Sequence, residues 1–261
     1  TFPAVSAGWK INEEAFLKDV DWISLLKLRA SWGKAGNDNI GGNYPSVALL
    51  GTYTTSWNGA LVSGAAPKNM PNEDLQWEAT KSLNFGFDFS AFQNRLQVNV
   101  DYYINNTDNL LFSMPIPQTT GFSSYTTNIG NVRNTGIELD ITSHNINKGD
   151  FKWTTNLNLT RQSIKIKELP EGNDVDYGDG AMYILREGES MHAYHLPKWI
   201  GVNPETGLGE FYIDPELDSR DAMIDGQLVK DGNVTNNYSK APEPIVAKAV
   251  PDCTGGLPTT F

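Results

Sequence analysis

Residues 77–106, WEATKSLNFGFDFSAFQNRLQVNVDYYINN, constrain the fold of this chain more than any other stretch. Apolar and polar residues alternate in the first half, and this period of two gives an extended strand two chemically different faces. The residues AFQN at 91–94 interrupt the alternation, which then resumes. The stretch therefore predicts a long antiparallel hairpin. Its apolar positions are Leu83, Phe85, Phe87, Phe89, Leu96, Val98, Val100 and Tyr102.

The length of the hairpin leaves two interpretations of its apolar face. Each arm has about ten residues, which is longer than the usual strand of a globular protein and about the length that crosses a bilayer at a tilt. The apolar face then meets either lipid or the core of a soluble β-sandwich. The opposite face carries Asn, Gln and Asp, which suit a polar barrel interior or the hydrated outside of a sandwich. The hairpin by itself does not distinguish the two.

Composition excludes several classes of protein. The mean hydropathy is -0.39, and no run approaches the roughly 18 apolar residues of a membrane-spanning helix. A β-barrel stays compatible with this value, because half of each of its strands is polar. Cys253 is the single cysteine, which excludes an internal disulfide and a Cys-based zinc site. The formal net charge of -11 argues against nucleic acid as a partner.

Further alternating segments predict strands at 1–11, 24–34, 128–142 and 151–161, with a helical turn at 12–21. The closing residues TGGLPTTF predict the start of another strand. Long irregular segments at 35–76, 107–123 and after residue 163 alternate with much shorter connections. Short turns at one end and long loops at the other are typical of an outer-membrane barrel. Since the smallest such barrels have about eight strands, this chain is expected to form part of a larger sheet.

Aromatic residues add to the barrel interpretation. Rings of Trp and Tyr favour the membrane interface, and seven of them lie near predicted strand ends. They are Trp9, Trp22, Trp32, Trp77, Tyr102, Tyr103 and Trp153.

Several segments match the strand and turn sequences of a known family. They are FPAVSAGW, EEAFLKDVDWISLLKLRASWGKAGND, LQWEATKSLNFGFDFSAFQNRLQVNVDYYINNTDNLLF, and PIPQTTGFSSYTTNIGNVRNTGIELDI followed by FKWTTNLNLT. These segments resemble the SusC/RagA family of TonB-dependent outer-membrane transporters. The resemblance implies an all-β fold, an antiparallel transmembrane segment from the C-terminal half of a 22-stranded barrel. Residues 1–165 would be barrel strands with short periplasmic turns and extracellular loops, 166–251 a long acidic extracellular loop insertion, and 252–261 the start of a further barrel strand.

The resemblance also implies a function, that of an active importer and not an enzyme. The whole protein would carry oligosaccharides or peptides across the outer membrane of a Gram-negative, Bacteroidetes-type bacterium. Its partners would be a SusD-like surface lipoprotein, the TonB complex acting through an N-terminal plug outside this sequence, and the lipid bilayer. A dimer of transporter–lipoprotein pairs is a further expectation. The alternative is a soluble secreted β-sandwich protein that binds or hydrolyses glycans.

Two groups of residues are candidates for contact with a substrate. Polar strand residues facing the lumen would line its path, and they are Asn84, Asp88, Asn99, Asp101, Glu138, Asp140, Asn156 and Asn158. Aromatic loop residues would contact the lid or stack on a ligand, and they are Trp57, Tyr194, Trp199, Phe211 and Tyr212.

Residues 164–252 contain seventeen Asp or Glu against eight Lys or Arg, so this segment contributes -9 of the net charge. Neither of its two acidic runs has the Gly and Glu spacing of a calcium-binding EF-hand loop. A solvated loop is therefore favoured, with weak calcium binding as the alternative and no other cofactor expected. His192 and His195 lack an evident third ligand, which favours surface histidines over a metal site. The acidic runs contain Asp174, Asp176 and Asp179, then Asp214, Asp218, Asp221 and Asp225.

Overall fold

The computed structural model describes residues 2–39, 44, 46–169, 172–212 and 234–260. The chain divides into two compact units, of which the first combines Thr1–Pro170 with Asp252–Phe261 and the second is Glu171–Pro251. Within the described residues, no helix combines the length and the apolar character needed to span a membrane.

Strands account for most of the first unit. Its strands before the second unit are β1 (Ala4–Lys10), β2 (Ile23–Asn37), β3 (Leu50–Trp57), β4 (Ala60–Pro67), β5 (Glu78–Ala91), β6 (Leu96–Pro115), β7 (Ser124–Lys148) and β8 (Phe151–Glu168). The second unit contains β9 (Val175–Tyr177), β10 (Tyr183–Leu185), β11 (Ala193–His195), β12 (Trp199–Val202), β13 (Gly209–Tyr212), β14 (Val234–Thr235) and β15 (Ile245–Lys248). The chain then returns to the first unit with β16 (Cys253–Gly256) and β17 (Thr259–Thr260).

The first unit is built around one antiparallel sheet, which we call the main sheet. Its strand order is β1-β2-β5-β6-β7-β8-β16, and β17 also pairs with β8. The hairpin predicted at 77–106 is confirmed as β5 and β6, and its turn lies at 92–95. Phe92, Gln93 and Asn94 all have positive φ angles there, of 55°, 58° and 64°. The expected strand at the end of the chain is formed by β16 and β17.

The register gives the main sheet two chemically different faces. Directly opposed residues of an antiparallel pair project to the same face. The row Leu28, Phe87, Val100, Leu139 and Leu159 crosses five neighbouring strands through such pairs. We call this side the apolar face and the opposite side the polar face. The apolar face comprises Leu26, Leu28, Ala30, Trp32, Leu83, Phe85, Phe87, Phe89, Val98, Val100, Tyr102, Ile104, Ile137, Leu139, Ile141, Leu157 and Leu159.

Large side chains on the apolar face are exposed. The exposed fractions are 48% for Phe85, 47% for Ile137 and 42% for Leu159. A soluble β-sandwich would bury this face beneath a second sheet. The sandwich interpretation is therefore wrong for the main sheet.

Strands β6 and β7 extend further than the sequence predicted, because polar and apolar residues do not alternate in the distal part of β6, which reads NNTDNLLFSMP at 105–115. The predicted irregular segment 107–123 is strand up to Pro115, which pairs with Ser124 at the end of the ladder. Asn109 (φ 57°) on β6 and Gly130 (φ 27°) on β7 lie between two paired positions, Asp108–Asn131 and Leu110–Ile129. They interrupt the alternation of side chains between the two faces. A Cβ at Gly130 would stand 1.5 Å from the Glu168 carbonyl oxygen, so only glycine fits.

Connections at the two ends of the main sheet differ in length. One end has residues 11–22, which begin with a 3-10 helix at Ile11–Glu13, the turn at 92–95 and a two-residue turn at 149–150. The other end has 38–77, 116–123 and 169–252. The turn predicted at 144–150 is shorter because β7 continues to Lys148. The segment 38–77, predicted to be irregular, contains the β3–β4 hairpin.

The second unit has two small sheets in the region predicted to be a loop. Their orders are β15-β11-β10-β9 and β12-β13-β14. The side chains of Ile184, Ala193 and Ile245 form a buried cluster in the first of these sheets. The predicted boundary at residue 165 falls inside β8, which ends at Glu168.

One of the predicted interface aromatics, Tyr103, lies on the polar face and not on the apolar face. Tyr102 lies on the apolar face, opposite Phe85, so the next residue, Tyr103, lies on the polar face. There Tyr103 is opposite Gly136, and a Cβ on Gly136 would come within 2.4 Å of its hydroxyl oxygen. Tyr103 therefore packs over a glycine of the polar face and does not belong to a lipid-facing belt.

Candidate functional site on the polar face

All eight candidate path residues of the main sheet share its polar face. One row of directly opposed residues is Lys27, Asp88, Asn99, Asp140 and Asn158. The adjacent row is Arg29, Gly86, Asp101, Glu138 and Thr160. Asn84 lies one row beyond the second and Asn156 one row before the first. Their role in a substrate path stays a prediction.

Arg29 is the centre of the strongest polar contact on this face. Its Nε and Nη2 atoms donate to Asp88 Oδ2 and Oδ1, each at 2.8 Å. Nη2 also donates to Asp101 Oδ2 at 3.0 Å. The three side chains are 34%, 16% and 26% exposed in the order Arg29, Asp88, Asp101. Because the hydrogen bonds are charge-assisted and one pair is bidentate, Arg29 fixes β2, β5 and β6 to one another.

Gly86 provides the space that this arginine needs. A Cβ at Gly86 would stand 2.4 Å from the Arg29 Cζ, so the guanidinium lies directly over the backbone of β5. The sequence showed Lys27 and Arg29 on the polar side of β2 but gave no reason to include either in the site. Pairing of β2 with β5 is the missing information, because it sets the basic row against Asp88.

Charge is distributed unevenly over the polar face. Basic residues lie on β1 and β2, and carboxylates lie on β5, β6 and β7. Glu138 and Asp140 are exposed and form no salt bridge with any residue that the structure describes. The face therefore changes from basic to acidic across the strands, with Arg29 at the boundary.

Two amide oxygens of the polar face lack a hydrogen-bond donor among the described residues. They are Oδ1 of Asn134 and Oδ1 of Asn156, and both are buried. An unmatched buried acceptor costs about 1–3 kcal/mol.

Three of the five candidate loop aromatics meet in the β12-β13-β14 sheet. Trp199 is directly opposite Phe211 and is 60% exposed. The Phe211 ring packs edge-on against Tyr238, with 5.3 Å between centroids. The Nζ atom of Lys198 lies 5.2 Å from the Tyr212 ring centroid. Phe211 and Tyr212 are thus engaged within their own sheet, whereas Trp199 presents an open ring.

The other two loop aromatics lie elsewhere. Trp57 ends β3 in the first unit and is 74% exposed. Tyr194 belongs to a tyrosine cluster of the second unit, with its ring centroid 4.9 Å from that of Tyr183. Tyr177 stacks on Tyr183 at 5.3 Å, and burial, helped by Tyr183, raises the pKa of Tyr177 to about 12. Tyr194 is therefore largely engaged in packing.

Two aspartates of the first acidic run, Asp174 and Asp176, contact basic side chains of the second unit. Arg186 Nε donates to Asp174 Oδ2 at 2.7 Å, and His195 Nδ1 lies 2.9 Å from Asp176 Oδ1. The described residues contain no group of three or more His, Cys, Asp or Glu that could hold a metal ion. The second acidic run, 214–225, lies outside the described residues. Weak calcium binding by the acidic runs stays a prediction.

Replacing Arg29 by Gln should destabilise the folded full-length protein by about 1–3 kcal/mol, because two carboxylates lose their charged donor. The measurement is the temperature at which the compact band is lost in gel electrophoresis after heating. Lys27→Gln is the matched control. It removes a charge from the same strand and face without breaking a salt bridge to a described residue, and it should change this temperature much less.

Combining Gly86→Ala with Arg29→Gln tests the packing of the guanidinium. Gly86→Ala should destabilise the protein with Arg29 present, since its methyl group would occupy the position of Cζ. In the Arg29→Gln background the same change should have a smaller effect, giving a non-additive double-mutant cycle. Additive effects would contradict the contact.

Comparison with known proteins gives a consistent family. Residues 1–237 match the family model described as TonB dependent receptor-like, beta-barrel. TonB-dependent receptor P39 of Formosa agariphila is 42% identical over 201 residues, which cover 77% of this chain and 19% of that protein. TonB-dependent receptor SusC of Bacteroides thetaiotaomicron is 40% identical over 182 residues, covering 68% of this chain and 18% of that protein.

Solved structures agree with these sequence relatives. The structure of the RagAB peptide transporter superimposes with a TM-score of 0.80 at 28% identity, covering 98% of this chain and 27% of that one. The open-open state of the RagAB peptide importer gives a TM-score of 0.75 at 26% identity. The chain thus spans about a fifth to a quarter of the length of the proteins it matches.

Proposed function

Because this chain belongs to the TonB-dependent receptor-like β-barrel family, we propose that the whole protein is an active importer of the outer membrane, driven through TonB. The main sheet is a segment of the barrel wall. One observation carries the proposal: the apolar face is continuous across β2, β5, β6, β7 and β8 and is exposed. Exposure of such a face is favourable when the face contacts lipid.

The polar face then lines the lumen of the barrel. Its amides, carboxylates and Arg29 can exchange hydrogen bonds with peptide groups or sugar hydroxyls. Glu138 and Asp140, which are exposed, offer acceptors. These residues support a polar solute as cargo, and we propose oligosaccharides or peptides. Similarity to the RagAB peptide transporter favours peptides of the two.

The proposed partner at the cell surface is a SusD-like lipoprotein that covers the long-loop end of the barrel. The SusC and RagAB relatives support this assignment. Trp57 and Trp199, with their exposed rings, are the strongest of the candidate aromatic contacts for a lid or ligand. Two transporter–lipoprotein pairs would form the complete assembly.

Phe85→Arg should reduce the amount of full-length protein assembled in the outer membrane. An arginine facing lipid costs about 2–4 kcal/mol at the middle of the bilayer. The measurement is the fraction of the protein that resists detergent denaturation until heated. Phe85→Leu keeps the side chain apolar and should assemble normally. Equal assembly of the two variants would show that Phe85 does not face lipid.

The proposed topology predicts that added protease reaches one end of the main sheet and not the other. The same protease recognition sequence is inserted after Asn58, in the β3–β4 turn, or after Gly149, in the β7–β8 turn. In intact cells, added protease should cut the first protein and spare the second, because long loops face outward and short turns face the periplasm. Cleavage of both proteins should occur after the cells are broken. Equal cleavage in intact cells would contradict the proposed orientation.

Uptake tests the import function directly. Cells that express the full-length protein should accumulate labelled oligopeptides or labelled oligosaccharides, and accumulation should stop when the proton-motive force is collapsed. Asn99→Leu combined with Asp140→Leu should lower uptake severalfold with an unchanged amount of assembled protein. Val100→Leu, which alters the neighbouring apolar-face position, should leave uptake unchanged. Accumulation of neither solute class would refute the proposal.

A further inference from the structure

An aromatic ring lies on the polar face of the main sheet. Tyr103 of β6 is opposite Gly136 of β7, and a Cβ on Gly136 would stand 2.5 Å from the Tyr103 Cζ and 2.8 Å from its Cε1. The end of the ring therefore occupies space above the β7 backbone that is empty only because residue 136 is glycine. Aromatic side chains pack over a glycine of the neighbouring strand in this way. One side of the ring thus rests on the sheet, and the other is turned away from it.

Polar side chains surround this ring on the same face. Two of them belong to the row of directly opposed residues that contains Tyr103 and Gly136. The adjacent rows on either side contribute two more each, from β6 and β7. Side chains in neighbouring rows of one face are close enough for one ligand to contact several of them. The six residues are Asn84, Gln162, Asn105, Asn134, Asp101 and Glu138.

Four of the six side chains are open to a ligand. Each is at least partly exposed and forms no side-chain hydrogen bond with another residue that the structure describes. Three of them carry amides, which both donate and accept hydrogen bonds, and one carries a carboxylate, which accepts. Asp101, by contrast, already accepts from Arg29. The four open residues are Asn84, Asn105, Gln162 and Glu138.

We propose that Tyr103 and the open polar residues around it form a subsite for one pyranose ring of an oligosaccharide. The inference rests on the proposed function, because the polar face meets the cargo only if it lines the lumen, and it names the class of that cargo. A pyranose has a face of C–H groups, which packs on the electron-rich face of an aromatic ring. Its hydroxyl groups donate and accept hydrogen bonds at the border. Tyr103 supplies the first contact, and the three amides and Glu138 supply the second.

The composition of the site favours a sugar ring over a peptide side chain. An apolar side chain on Tyr103 would remove water from the surrounding polar groups without replacing their hydrogen bonds. A basic side chain would find three open amides against a single open carboxylate, whereas neutral hydroxyl groups match both. Similarity to the RagAB peptide transporter concerns the fold as a whole, but Tyr103 and its polar neighbours are a local feature.

The test uses the full-length protein purified in a detergent without a sugar headgroup. The probes are short neutral oligosaccharides that cover α- and β-linked glucans, mannans, galactans and xylans, with bound molecules counted by native mass spectrometry. At least one of these saccharides should bind the wild-type protein. Tyr103→Leu should raise its dissociation constant about tenfold, since the stacking contact is lost. Tyr103→Phe keeps the ring and should have a much smaller effect.

Tyr102→Leu is the matched control. It makes the same substitution at the adjacent position of β6, which lies on the apolar face, and it should leave saccharide binding unchanged. Equal weakening by Tyr102→Leu and Tyr103→Leu would overturn the inference. Binding of none of the saccharides by the wild-type protein would do the same.

Gly136→Ala tests the position of the ring. Its methyl group would displace the ring, so it should weaken saccharide binding when Tyr103 is present and have little effect in the Tyr103→Leu background. Additive losses of binding would contradict a subsite built on this contact. Asn84→Leu serves if the variants at 103 and 136 fail to assemble. It should weaken binding severalfold, because a sugar hydroxyl loses its partner, and unchanged binding would count against the subsite.

The failure of this inference is distinguishable from failure of the proposed function. Cells that accumulate labelled oligopeptides, with a purified protein that binds none of the saccharides, would retain the import function and refute the sugar subsite alone. Wild-type protein that is absent from the outer-membrane fraction would refute the import function and the subsite together.

Discussion

The register of the main sheet is the constraint on which the rest of the structure depends. Because side chains alternate with a period of two, a slip of one residue between β5 and β6 would move Phe85 and Phe87 to the polar side. The ladders prevent this by pairing Phe87 with Leu28 on one side and Val100 on the other. The apolar face and the polar face are both consequences of that single alignment.

Arg29 helps to hold this alignment from the polar side. Its hydrogen bonds reach both β5 and β6, so a shift of either strand would break a charge-assisted contact. Gly86 makes the geometry sterically allowed by leaving the space above β5 empty. Arg29 thus reinforces, from the polar face, a register that pairing of the apolar residues also specifies.

The sequence pattern predicts a strand where its two faces differ in chemistry. It does not predict a strand where the two faces are alike. The β5–β6 hairpin and the partition of Asp88 and Asn99 to the polar side could be predicted because polar and apolar residues alternate there. The extension of β6 to Pro115 could not, since both sides are polar or mixed and Asn109 interrupts the pattern. Arg29 was missed because its contacts join residues 59 and 72 positions apart, which only strand pairing brings together.

The two edges of the main sheet explain why this segment requires a larger barrel. In the described structure β1 pairs only with β2, and β16 and β17 pair only with β8. An unpaired strand edge within hydrocarbon leaves backbone N–H and C=O groups without partners, at a cost of several kcal/mol for each group. Other strands of the whole protein must therefore continue the ladders at both edges. The exposed apolar face imposes the same requirement, because only a closed wall presents it to lipid while keeping the polar face in water.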